Sequence, residues 1–164
     1  RRNVDMTAIV VNNSNYGMTG GQFSPTTPEG AKTSTTPYRP IQPTFDACDL
    51  ARSAGASFVA RGTVYHVMEL DKFLQQAMRK KGFSLVEVLS PCPTSFGRRN
   101  KQADPVKMME SLRDGTVNTA QAKKMKPEEL QGKIVRGVFH DIEKKEYLER
   151  YEELCARAGE TAVK

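Results

Sequence analysis

The sequence predicts an α/β fold, organised as a parallel, doubly wound sheet with helices on its faces. Two observations support this. Short apolar, β-branched segments alternate along the chain with segments whose apolar residues recur at helical spacing. The chain has 164 residues, of which 38 % are hydrophobic and 27 % are charged, which suits one domain with a modest core. Because ligands of such sheets bind beyond the carboxyl ends of the strands, the loops that leave those ends are the places to look for function.

Four strands are predicted. The first is the run TAIVV, which ends at the turn formed by Asn12 and Asn13. The last alternates only weakly between apolar and polar residues, as an edge strand would. The four segments are residues 7–11, 57–61, 83–89 and 134–139.

Four helices are predicted around these strands. The first covers residues 46–54, and Gly55 stands where a glycine commonly follows a helix. The pair Asp104-Pro105 is typical of a helix start. Apolar residues at helical spacing mark the other faces: Leu70, Phe73, Leu74, Ala77 and Met78; Met108, Met109 and Leu112; and Tyr147, Leu148, Tyr151, Leu154, Cys155 and Ala158, followed by a closing Gly159.

The chain begins without Met, at residues that approach the first strand, so we expect it to be a partial domain whose N-terminal half lies upstream of Arg1. Within the partial domain, residues 1–164, we distinguish a long loop at residues 14–43 and a C-terminal helix and tail at residues 141–164. The loop is rich in Gly, Pro, Ser and Thr, and an ordered loop of that length is usually functional.

Composition and charge favour some kinds of ligand and compartment for this protein and exclude others. The net charge of +6 and the pI near 9.3 favour an acidic partner or a phosphate ligand. Nucleic acid is not expected, because the basic residues are dispersed and no aromatic residues interleave with them. No apolar run approaches the ~20 residues of a membrane span. Three cysteines at wide spacing are not a disulfide framework, which indicates a reducing, cytoplasmic compartment.

The loop after the first strand carries the most specific motif, NNSNYGMTGGQFSPTTP at residues 12–28. Amide and hydroxyl oxygens are hard ligands that suit Mg²⁺. Glycines allow backbone N–H groups to approach phosphate oxygens. An Mg²⁺-bridged diphosphate is therefore one ligand class for this loop, and a purely structural polar turn is the other interpretation.

This motif resembles the second half of the thiamine-diphosphate motif, and is most like its version in beta subunits of 2-oxoacid:ferredoxin oxidoreductases of the 2-oxoglutarate type. The resemblance implies that Asn13 provides a side-chain ligand to Mg²⁺ and that Asn15 provides a backbone carbonyl. It also implies that Gly17, Met18 and Thr19 wrap the diphosphate. The fold would then be the distal part of a pyrophosphate-binding domain.

The opening Gly-Asp-Gly of that motif would lie upstream, and its aspartate would be the other protein ligand of Mg²⁺. The isolated chain is therefore expected to bind thiamine diphosphate poorly. Some family members have Lys where this chain has Gly20. The glycine leaves more room and removes a charge, which agrees with a 2-oxoglutarate-type pocket.

The second candidate loop is SPCPT at residues 90–94, directly after a predicted strand. A lone cysteine is usually a small buried hydrophobe. The resemblance instead implies that Cys92 is the fourth ligand of a [4Fe-4S] cluster whose other three cysteines lie upstream. Cys48 and Cys155 match no ligand position and are expected in the core.

Arg98, Arg99 and Lys101 follow Cys92. They form either a solvated cationic loop or a docking patch for an acidic ferredoxin. His66 and His140 have no partners at metal-ligand spacing, and neither is assigned to catalysis.

The resemblance implies oxidative decarboxylation of a 2-oxo acid, expected to be 2-oxoglutarate, with the acyl group passed to coenzyme A and electrons to ferredoxin. This chain would anchor the cofactor and give one cluster ligand beside an alpha subunit, without a catalytic acid or base of its own. Two alternatives remain: a thiamine-diphosphate enzyme without an iron–sulfur cluster, and a non-catalytic protein that binds nucleic acid or another anion.

Overall fold

The computed structural model describes residues 2–162 and confirms an α/β fold with a five-stranded sheet. The strands are β1 (Met6–Asn12), β2 (Phe58–Thr63), β3 (Phe83–Leu89), β4 (Thr116–Asn118) and β5 (Ile134–Asp141). The helices are α1 (Ala47–Ser53), α2 (Val67–Arg79), α3 (Pro105–Asp114), α4 (Thr119–Ala122), α5 (Pro127–Leu130) and α6 (Tyr147–Ala162), and a π-helical turn covers Pro93–Gly97.

The sheet is mixed, with the strand order β1-β3-β2-β5-β4. The strands β1, β3 and β2 are parallel, as predicted. The sheet is therefore mostly parallel, and it departs from the predicted parallel arrangement at β5, which runs antiparallel to β2. The predicted edge position of β5 was wrong, since β4, which the sequence did not predict, pairs with its other side. Alternation of apolar residues marks a strand, but its direction and neighbours depend on tertiary contacts.

Helices cover both faces of the sheet, because alternate residues of β2 and β3 point to opposite sides. Phe58 and Val86 face α2, whereas Val59 and Leu85 face α1. Burial of each large apolar side chain contributes about 1.5–3 kcal/mol. The α2 side buries Phe58, Ala60, Leu70, Phe73, Ala77, Val86 and Val88, and the α1 side buries Cys48, Ala51, Ala56, Val59 and Leu85.

Capping side chains set the starts of two of the predicted helices, α1 and α3. Asp46 accepts a hydrogen bond from the backbone N–H of Asp49 at 2.9 Å and begins α1. Asp104 accepts from the N–H of Val106 at 2.9 Å and begins α3. The predicted apolar face of α2 is confirmed except at Met78, which is exposed.

The C-terminal helix departs from the prediction in two respects. It continues through Gly159, which therefore does not close it. Its apolar face is largely exposed, and Cys155 is exposed too, so its expected place in the core was wrong. Periodicity identifies an apolar helix face, but whether another element covers that face is a tertiary property. Residues 163–164 of the predicted tail lie outside the described residues.

Within residues 2–162, no helix has both the length and the apolar character needed to cross a bilayer.

Candidate functional site

The site begins with a tight turn at the carboxyl end of β1. Asn12 Oδ1 accepts a hydrogen bond from the backbone N–H of Ser14 at 3.0 Å. Ser14 has a φ of +64°, in the left-handed region that few non-glycine residues adopt. The backbone N–H of Ser90 donates to the carbonyl of Asn12 at 2.9 Å. The loop after β1 and the loop after β3 therefore start side by side.

Both loops converge on Gly17. A Cβ atom at Gly17 would lie 3.2 Å from Asn13 Nδ2, 3.4 Å from Asn15 Oδ1 and 3.6 Å from Cys92 Sγ. A side chain there would crowd the two amides, so glycine keeps this space open. The structure thus brings Asn13, Asn15, Gly17 and Cys92 together, although Cys92 is far from the others in the sequence.

Asn15 is buried, with 5 % of its surface exposed, yet neither polar atom of its side chain has a hydrogen-bond partner of acceptable geometry. Unpaired buried amides are rare in proteins because the lost hydrogen bonds to water are not replaced. Asn13 Oδ1 accepts only a long hydrogen bond of 3.4 Å from the N–H of Asn15. The two asparagines therefore retain unused capacity to bind a polar ligand.

The segment Gly17–Gln22 forms a glycine-rich tip. The N–H of Tyr16 donates to the carbonyl of Gln22 at 3.0 Å, and Thr19 Oγ1 donates to Gln22 Oε1 at 3.1 Å. Met18 and Thr19 are exposed at this tip. Of the residues predicted to wrap a diphosphate, only Gly17 lies beside the amides of Asn13 and Asn15.

The tip packs on the segment that follows Cys92. A Cβ atom at Gly21 would lie 2.6 Å from Arg99 Nη1 and 2.9 Å from Ser95 Cβ, so only glycine fits this contact. Ser95 Oγ also donates to the carbonyl of Gly17 at 3.5 Å.

Cys92 is half-buried at the start of the π-helical turn. Burial by itself raises the pKa of the Cys92 thiol, but the backbone N–H groups of Phe96 and Ser95 and the Thr94 hydroxyl outweigh it, so the net pKa is lowered. The Asn15 amide lies close enough to favour the thiolate further. A thiolate is the form of cysteine that binds metal.

A buried charged cluster beneath the turn was not singled out by the sequence. Glu87 accepts from Arg61 Nε at 2.6 Å, and Asp46 accepts from Arg61 Nη2 at 2.8 Å. Asp46, Cys48 and Glu87 have the mutual spacing of a metal site, but Arg61 already supplies the compensating positive charge. Desolvation also raises the pKa of the Cys48 thiol, which favours its neutral form. The available signal was a charged residue inside each of two apolar strands, because buried charges need partners.

The chain matches a known family of proteins. Residues 1–88 match the family model described as "Thiamine pyrophosphate enzyme, C-terminal TPP binding domain". The chain belongs to this family.

Two curated relatives indicate which kind of thiamine pyrophosphate enzyme the chain resembles. The chain is 48 % identical over 157 residues to the 2-oxoglutarate synthase subunit KorB of Methanocaldococcus jannaschii, an alignment that covers 96 % of this chain and 58 % of that protein. It is 36 % identical over 143 residues to the 2-oxoacid:ferredoxin oxidoreductase subunit beta of Saccharolobus solfataricus, covering 87 % and 46 %. The chain spans about half the length of the curated relatives it matches.

The fold has a solved counterpart. The 2-oxoglutarate:ferredoxin oxidoreductase from Magnetococcus marinus, solved with 2-oxoglutarate, coenzyme A and succinyl-CoA bound, matches with a TM-score of 0.79 and 23 % identity. The match covers 97 % of this chain and 55 % of that one. This match confirms the predicted α/β fold, and the family model and the curated relatives confirm the resemblance inferred from the loop motif.

Proposed function

We propose that this chain is part of the beta subunit of a 2-oxoacid:ferredoxin oxidoreductase, acting on 2-oxoglutarate. In this proposal it anchors Mg²⁺–thiamine diphosphate and supplies one ligand to a [4Fe-4S] cluster. The observation that carries the proposal is the convergence of the unpaired, buried Asn15 amide with Asn13, Gly17 and Cys92. The names of the relatives support the reaction class.

The donor set fits the diphosphate end of the cofactor. Asn13 Oδ1 would bind Mg²⁺ together with the carbonyl of Asn15, and both are the oxygen ligands that this cation prefers. Backbone N–H groups of Gly17, Met18 and Thr19 would bind diphosphate oxygens. When bound, thiamine diphosphate supplies the chemistry for cleaving a 2-oxo acid, so the chain's own part is to bind and orient it.

Cys92 would contribute to electron transfer. Its lowered pKa favours the thiolate that an iron–sulfur cluster requires. A Cβ atom at Gly17 would lie 3.2 Å from Asn13 Nδ2 and 3.6 Å from Cys92 Sγ. Cys92 is therefore close to the asparagines proposed to bind Mg²⁺, which supports a cluster near the cofactor. This cysteine argues against a thiamine-diphosphate enzyme without a cluster.

The exposed cations near Cys92 support docking of an acidic ferredoxin. Arg98, Arg99 and Lys101 are exposed, and Asn100 binds both backbone groups of Lys32, which brings a fourth cation beside them. The Michaelis constant for ferredoxin should rise steeply with ionic strength. A constant that does not change with salt would remove the patch from the proposal.

The activity is tested on the native, anaerobically purified complex that contains this chain. We expect coenzyme A-dependent reduction of viologen with 2-oxoglutarate and slower reduction with pyruvate, since Gly20 leaves room for the larger acid. A preference for pyruvate would keep the reaction class and overturn the substrate. No reduction with either acid, from a complex that contains iron and thiamine diphosphate, would overturn the reaction itself.

A further inference from the structure

Glu87 is a carboxylate in the middle of β3, with only 2 % of its surface exposed. It connects the core to the functional loop. Its Oε2 accepts from Arg61 Nε at 2.6 Å, and its Oε1 accepts from Asn12 Nδ2 at 2.8 Å. A core ion pair needs only the first of these contacts, so the second has to be explained separately.

The contact with Glu87 fixes which way the Asn12 amide points. An ionised carboxylate only accepts hydrogen bonds, so it selects the Nδ2 end of the amide. The Oδ1 end then faces the opposite way, where it accepts from the N–H of Ser14 at 3.0 Å. Glu87 is thereby linked to the turn by two consecutive hydrogen bonds.

The turn at Ser14 needs stabilising contacts, because its backbone conformation is unfavourable. Ser14 adopts a φ of +64°, which is unfavourable for a residue with a side chain. Asn12 Oδ1 accepts a hydrogen bond from the N–H of Ser14, and Thr27 Oγ1 donates to the carbonyl of Ser14 at 2.8 Å. The conformation at Ser14 sets the direction in which the chain enters Asn15, whose amide is buried and unpaired.

We propose that Glu87 is a positioning residue for the cofactor loop, acting through Asn12 and the Ser14 turn on Asn13 and Asn15. The inference rests on the proposed function. In this role Glu87 acts through Asn12 and sets the angle at which Asn13 and Asn15 present their oxygens. Partners that orient metal ligands in this way commonly affect metal affinity strongly.

The experiment measures the affinity of the native complex, freed of cofactor, for thiamine diphosphate in the presence of Mg²⁺. In Glu87→Gln, one amide oxygen replaces two carboxylate oxygens, so Arg61 and Asn12 cannot both be satisfied. We expect the dissociation constant to rise about ten- to a hundredfold. The matched control is Asp46→Asn, which changes the other carboxylate on Arg61, keeps the capping ability at α1 and leaves Asn12 in place. Its affinity should be unchanged.

A charge-exchange variant separates positioning from general stability. Asn12→Asp alone places two carboxylates face to face and should weaken the binding of thiamine diphosphate more than Glu87→Gln does. Combined with Glu87→Gln, it restores a donor–acceptor pair between positions 12 and 87 and still offers an oxygen to the N–H of Ser14. The double variant should recover most of the affinity lost in Glu87→Gln, whereas a merely destabilised core would not be repaired.

Thermal melting of each variant accompanies the binding measurement. Unchanged affinity in Glu87→Gln, equal losses in Glu87→Gln and Asp46→Asn, or a folded double variant without recovery would each overturn the inference. If Glu87→Gln fails to assemble, Asn12→Ala keeps the ion pair, breaks the link and should show the same loss; unchanged affinity there also overturns it. A wild-type complex that binds no thiamine diphosphate would instead overturn the proposed function.

Discussion

Arg61 and Glu87 are register partners on the adjacent parallel strands β2 and β3, and Arg61 Nε lies 2.6 Å from Glu87 Oε2. Both side chains point to the α1 face of the sheet, where Asp46 completes the group from the N-terminus of α1. Desolvation lowers the pKa of Arg61, but Glu87 and Asp46 outweigh this, so its net pKa is raised. The charged cluster is therefore part of the core, and of its members Glu87 is the one that contacts the functional loop, through Asn12.

Replacing Arg61 should be strongly destabilising. Arg61→Met leaves the buried Glu87 without its cation, and we expect the free energy of unfolding to fall by about 3–5 kcal/mol. Chemical denaturation of the subunit measures this. The control is Arg52→Met, since Arg52 pairs with the exposed Asp49 and surface pairs contribute little. Equal losses in the two variants would show that burial does not decide the effect.

Stability should depend on pH through Asp46. Partial burial raises the pKa of this carboxyl, but the hydrogen bond and charge of Arg61 and the backbone N–H groups of Asp49 and Cys48 together outweigh this, so the folded-state pKa lies below the ordinary value of 3.8. The folded state therefore binds its proton less readily than the unfolded chain, and Asp46 stabilises the fold above the ordinary value. That contribution is lost as the pH falls below 3.8.

Comparison of the wild type with Asp46→Asn isolates this group. The difference in unfolding free energy should be constant near neutral pH and shrink as Asp46 becomes protonated. A difference that is the same at every pH would contradict the assignment.

Gly82 is required by its surroundings. It has a φ of +92°, and a Cβ there would lie 2.5 Å from Asn3 Nδ2 and 2.7 Å from Ser57 Oγ. Asn3 Oδ1 accepts from Ser57 Oγ at 2.8 Å and from the N–H of Phe83 at 3.0 Å, so neither neighbour moves freely. Gly82→Ala should cost more than the ~1–2 kcal/mol of left-handed backbone strain.

Gly30→Ala provides the matched control, because Gly30 has a φ of +75° and nothing within 4 Å of a built Cβ. It should show the backbone strain alone. Denaturation midpoints that shift equally in the two variants would contradict the predicted steric overlap.

Cys92 and Cys48 should differ in their effect on iron. In the native complex, Cys92→Ser should remove cluster iron or make it labile, because a thiolate ligand is lost. Cys48→Ser should leave the iron content unchanged, since Cys48 lies on α1, where it is buried against Glu87 of β3. Iron content and the visible spectrum measure both. A Cys92 variant with full iron and an unaltered spectrum would exclude this residue as a ligand.

Much of the fold follows from local patterns. The predicted strands at residues 7–11, 57–61 and 83–89 correspond to β1, β2 and β3, and residues 14–43 contain no helix or extended strand. The predictions of β2 and β3 succeed because burial on both faces imposes a continuous apolar run on a central strand. The strand β1 lies at the edge of the sheet and is partly exposed, and its β-branched residues still mark it as a strand. The motif at residues 12–28 likewise pointed to the thiamine pyrophosphate family that the comparisons show.

Other features were decided by tertiary structure alone. Local periodicity does not specify which elements pack together. It therefore could not predict the antiparallel direction of β5, its pairing with β4 or the exposure of Cys155. The same holds for the ion pair of Arg61 with Glu87, which sheet register creates from residues 26 positions apart. The sequence by itself determined the three parallel strands and the family to which the loop motif belongs. Packing decided which buried carboxylate holds the loop in place, because only in the folded sheet does Glu87 face Asn12.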